Sequence, residues 1–262
     1  MTYSLHHGDC VDVMRSLPAE SVDAIITSPP YAMQRKATYG GIPEADYPAW
    51  TVAWMAEAWR VLKPSGSVLI NIRPHIKNGQ ISDYTLRTRL ALRDAGWNEV
   101  DELIWHKTSS APTGSPRKPR RSWESIHWFA KHGQPYSDAK ANGKPSTEPN
   151  RPRIRAAADR NDWEHSIMGG NTMPLISRCT DVVSASKVNS RQAFDHPAPF
   201  PVPLAEWMGK LVCPIGGTIL DPFSGSASTG VAAVRNGWTY IGIDAVAEYV
   251  EMSRQRLEAE AA

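Results

Sequence analysis

Only three cysteines stand in this chain of 262 residues, Cys10, Cys179 and Cys213, and they are far apart. That spacing excludes a disulfide framework and a cysteine-rich zinc site. No apolar run approaches the roughly 20 residues that a membrane span needs. The opening residues, Met1 to Asp9, lack the basic and apolar regions of a signal peptide. The expectation is a soluble, cytoplasmic protein with no membrane partner. No segment repeats, which excludes a solenoid. His165 and His196 have no metal-ligand spacing, so no metal is assigned. Net charge is scarce too, because 29 Lys and Arg nearly balance 27 Asp and Glu. What is present is a hydrophobic fraction of 41% and a charged fraction of 21%. That mix can bury a core and does not belong to a disordered chain. The length suits one large domain or two small ones.

The charge is unevenly placed. Residues 107–195 hold 15 Lys and Arg against 8 Asp and Glu, while the flanks are acidic. A basic middle between acidic flanks reads either as a surface for a polyanion or as a solvated basic loop.

Hydrophobic periodicity gives the architecture. Val22–Thr27 reads as a buried strand stopped by Pro29-Pro30. Apolar residues from Pro48 to Leu62 fall at helical spacing, and the Lys63–Gly66 segment predicts a turn. Val68–Ile72 is a strand, Ser82–Ala95 a helix closed by Gly96, and Val100–Trp105 a strand. This is the β-α-β-α-β rhythm of an α/β sheet with helices on its faces. From Thr108 to Arg160 the text is polar and proline-rich, broken by one predicted strand at Ser125–Ala130, and no regular structure is assigned to Gly133–Arg160. Order returns with a helix over Pro203–Leu211, a strand at Thr218–Asp221, a turn, a helix over Thr229–Asn236, a strand at Tyr240–Asp244 and a helix over Ala247–Leu257. That last unit stands where an ordinary nucleotide-binding chain does not put it, at the far end. The two ends are therefore expected to share one permuted sheet.

Two motifs carry chemistry. Thr27-Ser28-Pro29-Pro30-Tyr31 follows a strand directly, where ligands of open α/β sheets sit. The prolines fix the backbone and supply carbonyl acceptors without amide donors. Ser28 adds a hydroxyl, and Tyr31 adds a flat face with a polar tip. Such a site suits a flat heterocycle bearing an amino group; the plainer alternative is a Pro-Pro turn with Tyr31 as packing. The second motif, Asp221-Pro222-Phe223-Ser224-Gly225-Ser226-Ala227-Ser228-Thr229-Gly230, lies between strand and helix. Gly225 permits a tight turn. Asp244 ends the next strand, where an acid commonly meets ribose hydroxyls. An acid at Asp221 would repel a pyrophosphate and is better placed to receive a cation such as an amino-acid ammonium. On the residues alone, an ordinary turn and a dinucleotide site stay open.

Taken together, Gly8-Asp9-Cys10, Thr27–Tyr31, His196–Pro201, Asp221–Gly230 and Gly242–Asp244, in that order, resemble the S-adenosylmethionine-dependent DNA amino-methyltransferases of the cytosine-N4/adenine-N6 family. The order matches the permuted class in which the catalytic motif precedes the cofactor loop. The resemblance spans roughly residues 3–131 and 178–258. It implies a Rossmann-like α/β methyltransferase fold, circularly permuted, with a basic target-recognition insert. The expected boundaries are 1–131 with 196–262 for the catalytic and cofactor-binding domain and 107–195 for target recognition, overlapping at 123–131.

The resemblance also implies roles. Asp221, Phe223, Gly225 and Ser226 would line the methionine half of S-adenosylmethionine, with Phe200 and Pro201 at the same end. Asp244 would bind the ribose, and Asp9 with Cys10 would face the adenine. Ser28, Pro29, Pro30 and Tyr31 would hold a base flipped out of duplex DNA. A motif that begins with Ser points to cytosine N4, whereas Asp or Asn points to adenine N6. Cytosine carbon-5 chemistry, which needs a Pro-Cys thiolate, is excluded because no cysteine follows proline. Arg117, Lys118, Arg120, Arg121, Arg151, Arg153 and Arg155 would meet DNA, while Glu124 and His127 read equally as structural or functional. The family loop more often reads Gly-Ser-Gly-Thr, so Ala227 and Ser228 are a departure expected to weaken cofactor binding. The partners implied are double-stranded DNA, a homodimer and a cognate restriction endonuclease, at the nucleoid. An RNA methyltransferase and a non-catalytic nucleic-acid-binding module are the remaining alternatives.

Overall fold

Short strands and helices alternate along the first part of the chain. In chain order these are β1 (Tyr3–His7), α1 (Cys10–Ser16), β2 (Val22–Thr27), α2 (Tyr47–Val61) and β3 (Leu62–Ile72). A short hairpin of β4 (Ile76–Lys77) and β5 (Gln80–Ile81) follows, then α3 (Tyr84–Asp94), β6 (Asn98–Lys107) and β7 (Trp123–Ala130). Next come β8 (Pro152–Arg155), β9 (Ser166–Thr172) and β10 (Val182–Ala185). The chain ends with α4 (Val202–Val212), β11 (Thr218–Asp221), α5 (Ser228–Asn236), β12 (Thr239–Asp244) and α6 (Ala247–Ala261). This computed structural model describes residues 3–34, 40–109, 117–147, 149–150, 152–155, 166–172, 174–186 and 201–261, with backbone alone for 152–155 and 166–172.

Eight strands form one sheet in the order β1-β12-β11-β2-β3-β7-β6-β10. Every neighbouring pair is parallel except those of β7, which runs antiparallel to both β3 and β6. Residues Ser67–Ile72 of β3 are all buried, as expected of a strand covered on both faces. One core brings Met14 of α1 and Trp54 and Met55 of α2 against Val68, Ile70, Phe129 and Leu220 of the sheet. Helix α2 contacts α1 and α3, and α5 contacts α4 and α6, giving two helical groups.

The two chain ends do share one sheet. Tyr3–His7 pairs in register with Tyr240–Asp244, and β2 lies beside β11. The parallel strands β1, β12, β11, β2 and β3 therefore present their carboxyl ends along one edge. Strand β1 and helix α1 have no counterpart in the periodicity, because five and seven residues are too few to show it. Lys63–Gly66 lies within β3 but pairs with neither neighbour: the ladder with β2 passes from Leu62–Val22 to Ser67–Ala24, so these four residues bulge out where a turn was expected. At Gly66 the chain passes Asp23 so closely that a Cβ would lie 2.8 Å from its carbonyl oxygen, and the register with β2 shifts there.

Helix α5 approaches β12 equally closely. A Cβ at Gly230 would lie 2.7 Å from the Tyr240 ring. Gly230→Ala is therefore expected to cost about 1–3 kcal/mol through overpacking, read as a lowered thermal midpoint.

The described residues divide into two compact units, residues 1–137 with 181–262, and residues 138–180. The smaller contains the antiparallel pair β8–β9, so regular structure does occur in the stretch read as aperiodic. A bridge between Pro145 and Ile176 and the bond from the Cys179 amide to the Ala139 carbonyl tie its two ends together. Within residues 107–195, strands β7 and β10 belong to the main sheet.

Candidate active site

The carboxyl edge of the sheet gathers two acids. Asp221 ends β11 and Asp244 ends β12, and both are buried, at 1% and 2% exposure. Asp221 Oδ1 accepts from Thr27 Oγ1 at 2.6 Å and from the Phe223 amide at 3.1 Å, and its Oδ2 accepts from Thr229 Oγ1 at 2.9 Å. Burial pushes its carboxyl up to about 6 against the pull of those donors, with the charge of Asp244 adding to the rise. Asp244 accepts from the Gly225 amide at 2.8 Å and the Val246 amide at 2.9 Å. The loop between the acids is thus pinned to both.

That loop turns sharply. Gly225 has φ +53 and Ala227 φ +54, the left-handed region that costs a residue with a Cβ free energy and costs glycine none. Ala227 is fully buried and opens α5 without a side-chain cap. Arg256 of α6 donates to the Ser226 carbonyl at 2.7 Å, and Ser253 Oγ to the Gly225 carbonyl at 2.8 Å. Phe223 is half-buried beside Trp50 and Trp54 of α2, with ring centroids 5.5 and 5.4 Å away. Asp9 stands at the same edge, since the Gly8 amide donates to the Asp244 carbonyl at 3.0 Å. Its side chain caps α1 by accepting from the Val11 amide at 2.8 Å, and the Cys10 side chain points into the core. Pro201 is buried at the start of α4. Phe200 and Arg151 lie outside the described residues, and only the backbone is described for Arg153 and Arg155.

Ser28–Tyr31 leaves β2 at the same edge. The Tyr47 hydroxyl of α2 donates to the Pro30 carbonyl at 2.9 Å, which fixes the turn. The Tyr31 hydroxyl donates to Glu124 Oε2 at 2.9 Å, and the Ser28 side chain also hydrogen-bonds it. Glu124 is in turn paired with the buried Lys107, and its Oε1 lies 3.7 Å from Arg73 Nε. Burial and the adjacent Glu124 hold the Tyr31 phenol well above its ordinary range, so it stays a donor. Sequence reasoning left Glu124 undecided; the structure makes it the anchor of Tyr31. No local signal points to Thr27, Thr229 or Lys107 in these roles, because each meets its partner across the sheet. His127 lies in a cavity wall with Pro29, and burial, reinforced by Arg89, pushes its pKa down to about 4. It is neutral at physiological pH.

Among the basic candidates, Lys118 Nζ donates to the Gly79 carbonyl at 3.3 Å and Arg121 to the Pro74 carbonyl at 2.6 Å. Arg117 and Arg120 are exposed beside them. Cys10 and Cys213 are buried with their thiols pushed up to about 12, chiefly by desolvation. Neither is a thiolate nucleophile at neutral pH.

One strand edge of an open α/β sheet thus carries an acid-pinned loop and an aromatic, carbonyl-rich turn side by side. Residues 22–255 match the N6/N4 methyltransferase family, described as DNA methylase, and the chain belongs to that family. It is 26% identical to the type II methyltransferase M.ScaI of Streptomyces caespitosus, over 98% of this chain and 82% of that protein. It is also 26% identical to the type II methyltransferase M.PvuII of Proteus hauseri, over 97% of this chain and 83% of that one. In structure it is similar to the cytosine-N4-specific PvuII DNA methyltransferase, with a TM-score of 0.75, 22% identity, and coverage of 100% of this chain and 92% of the other. It is also similar to the complex of M1.HpyAVI with S-adenosylmethionine, at a TM-score of 0.60 and 19% identity, with 98% of this chain and 100% of the other covered.

The Tyr31–Glu124 bond carries a prediction. Tyr31→Phe keeps the ring and removes a hydrogen bond to a charged acceptor, worth about 1.5–3 kcal/mol. Turnover is expected to fall about tenfold or more. A double-mutant cycle with Glu124→Gln checks it, since the two losses should not add if Glu124 acts through Tyr31.

Proposed function

We propose that this chain transfers the methyl group of S-adenosylmethionine to the exocyclic N4 amine of a cytosine flipped out of duplex DNA. The observation that carries the reading is the Ser28–Tyr31 turn, braced by Tyr47 and Glu124, at the same strand edge as Asp221 and Asp244. The donor set fits the cofactor. Two buried carboxylates flank a loop whose backbone turns tightly enough for close approach. Asp221, Phe223, Gly225, Ser226, Phe200 and Pro201 would hold the methionine half, Asp244 the ribose, and Asp9 with Cys10 the adenine. Bound there, S-adenosylmethionine supplies an electrophilic methyl group.

The amine of cytosine is a poor nucleophile because its lone pair is delocalised into the ring. Ser28 and the Pro29 carbonyl accept its hydrogens and favour the localised pair as charge develops. Tyr31 stacks on the extruded base, which cannot react inside the duplex. Ser28 at the head of the turn, together with the likeness to the cytosine-N4-specific PvuII enzyme, supports cytosine over adenine. Adenine N6 is the second reading, and the family includes it.

Residues 107–195 are the proposed target-recognition region, with residues 1–131 and 196–262 as the catalytic domain. Arg117, Lys118, Arg120 and Arg121, with Arg151, Arg153 and Arg155, would meet phosphates or a guanine edge. M.ScaI and M.PvuII are type II methyltransferases, so a cognate endonuclease is the partner this reading implies. The place of action is the nucleoid, and no helix among the described residues is long and apolar enough to cross a membrane. A palindromic target can be modified one strand at a time, so a homodimer is compatible and not required.

Nucleoside mass spectrometry on DNA from expressing cells, against a host lacking endogenous methylation, tests the proposal. N4-methylcytosine is the expected product. N6-methyladenine would overturn the base assignment and keep the rest, and neither product would overturn both.

A further inference from the structure

The β4–β5 hairpin has no part in the proposed methyl transfer, and it is built unlike an ordinary surface loop. Ile76 and Ile81 pair directly across its two strands, so both side chains stand on one face. They are 45% and 67% exposed. Its tip residues, Asn78 and Gly79, have φ +51 and +79, the two-residue turn that matches the natural twist of a hairpin.

The hairpin is also hydrogen-bonded to its neighbours. Glu44 holds His75 Nε2 at 2.9 Å and Ser82 Oγ at 2.6 Å, and Lys77 lies 3.7 Å from the same carboxylate. On the other side, Lys118 and Arg121 donate to the Gly79 and Pro74 carbonyls. Two exposed isoleucines thus stand on a hairpin flanked by Lys77, Lys118 and Arg121.

Its position ties it to the reaction. It continues β3, which is parallel to β2, so it emerges at the same edge as Ser28–Tyr31. Arg73 at its root faces Glu124, the carboxylate that anchors Tyr31. The Tyr84 hydroxyl donates to the Arg73 carbonyl at 2.8 Å, and the Tyr84 ring packs edge-on against Tyr47, which holds Pro30.

We propose that this hairpin is a DNA wedge: its basic flanks hold the phosphates beside the target, and Ile81, with Ile76 behind it, inserts into the stack to occupy the space the extruded base leaves. This rests on the reading of the chain as an enzyme that flips a base in duplex DNA. Apolar wedges of this kind offset unstacking by filling the gap, and the surrounding lysines and arginines match the partner's charge.

The test compares the wild-type protein with Ile81→Ala and with the Ile76→Ala/Ile81→Ala double variant. The substrate is a duplex carrying the modified sequence, read from DNA of expressing cells, either fully paired or with the target base in a mismatch. On the paired duplex kcat/KM is expected to fall about tenfold or more, and on the mismatch, where the base is already loosened, it should fall far less. Thermal midpoint and S-adenosylmethionine affinity should not move, because both side chains are exposed. Equal losses on the two duplexes, or no loss, would overturn the wedge. If the wild-type protein modifies no DNA, the underlying reading fails. Anisotropy with a labelled plasmid-derived duplex then judges the surface alone, and wild-type affinity in the double variant would overturn it.

Discussion

Tyr31→Ala is expected to lower methyl transfer by about 100-fold or more while leaving S-adenosylmethionine affinity within about twofold, since stacking on a base is worth about 1–3 kcal/mol and the bond to Glu124 is lost with it. The reason is positional. Tyr31 lies on the turn after β2, and its hydroxyl is committed to Glu124 and Ser28 rather than to the acids that end β11 and β12. On the proposed reading, removing the ring removes the platform for the base and leaves the loop from Asp221 to Gly230 untouched. Single-turnover rates and calorimetry read the two quantities separately. A matched loss of cofactor affinity would place Tyr31 against the methyl donor instead. The phenylalanine variant should lie between wild type and alanine, because it loses the anchor and keeps the platform.

Asp221→Ala should show the opposite pattern, with cofactor affinity falling about 100-fold, a loss in the range of a buried charged partner. The wild-type protein offers a check that needs no mutation. The Asp221 carboxyl titrates at about 6, raised first by burial. A cation is held by the ionised form, and for a group of that pKa the ionised fraction rises from about a tenth at pH 5 to about nine-tenths at pH 7. Affinity for S-adenosylmethionine is therefore expected to rise up to about tenfold between those values and then level. The variant should lose that dependence. An unchanged pH profile, or unchanged affinity in Asp221→Ala, would remove the carboxylate from the cofactor site. Because Thr27, Thr229 and the Phe223 amide all lose an acceptor in the variant, its thermal midpoint must be measured alongside.

At Ala227 the resemblance led to an expectation of weakened cofactor binding. The residue sits at φ +54 and is buried, so the cost of the methyl falls on the backbone conformation of the turn.

Much of the architecture is legible in the sequence. Val22–Thr27, Val68–Ile72 and Tyr240–Asp244 are short apolar runs that can only be buried strands. The helix over Thr229–Asn236 stops where Gly237 takes φ +72 and closes it. These features are local, and local patterns survive in a one-dimensional text. The segment from Lys63 to Gly66 shows the limit, because a Pro-Ser-Gly string reads as a turn that separates two elements, whereas the chain only bulges there and β3 runs on past Asp23. The pairing of Pro152–Arg155 with Ser166–Thr172 is invisible for a similar reason, since its ladder lies within polar text.

By itself the sequence determined which chemical groups are available and in what order. It supplied a serine, two prolines and a tyrosine after one strand, acids ending two others, and a basic middle. Those are properties of residue type and spacing. The tertiary structure alone decided which groups meet. Thr27 reaches Asp221 across 194 positions and Tyr31 reaches Glu124 across 93. The two ends of the chain join as β1 and β12. Such contacts depend on the strand order of the sheet, which is set by the joint burial of both faces rather than by any one segment.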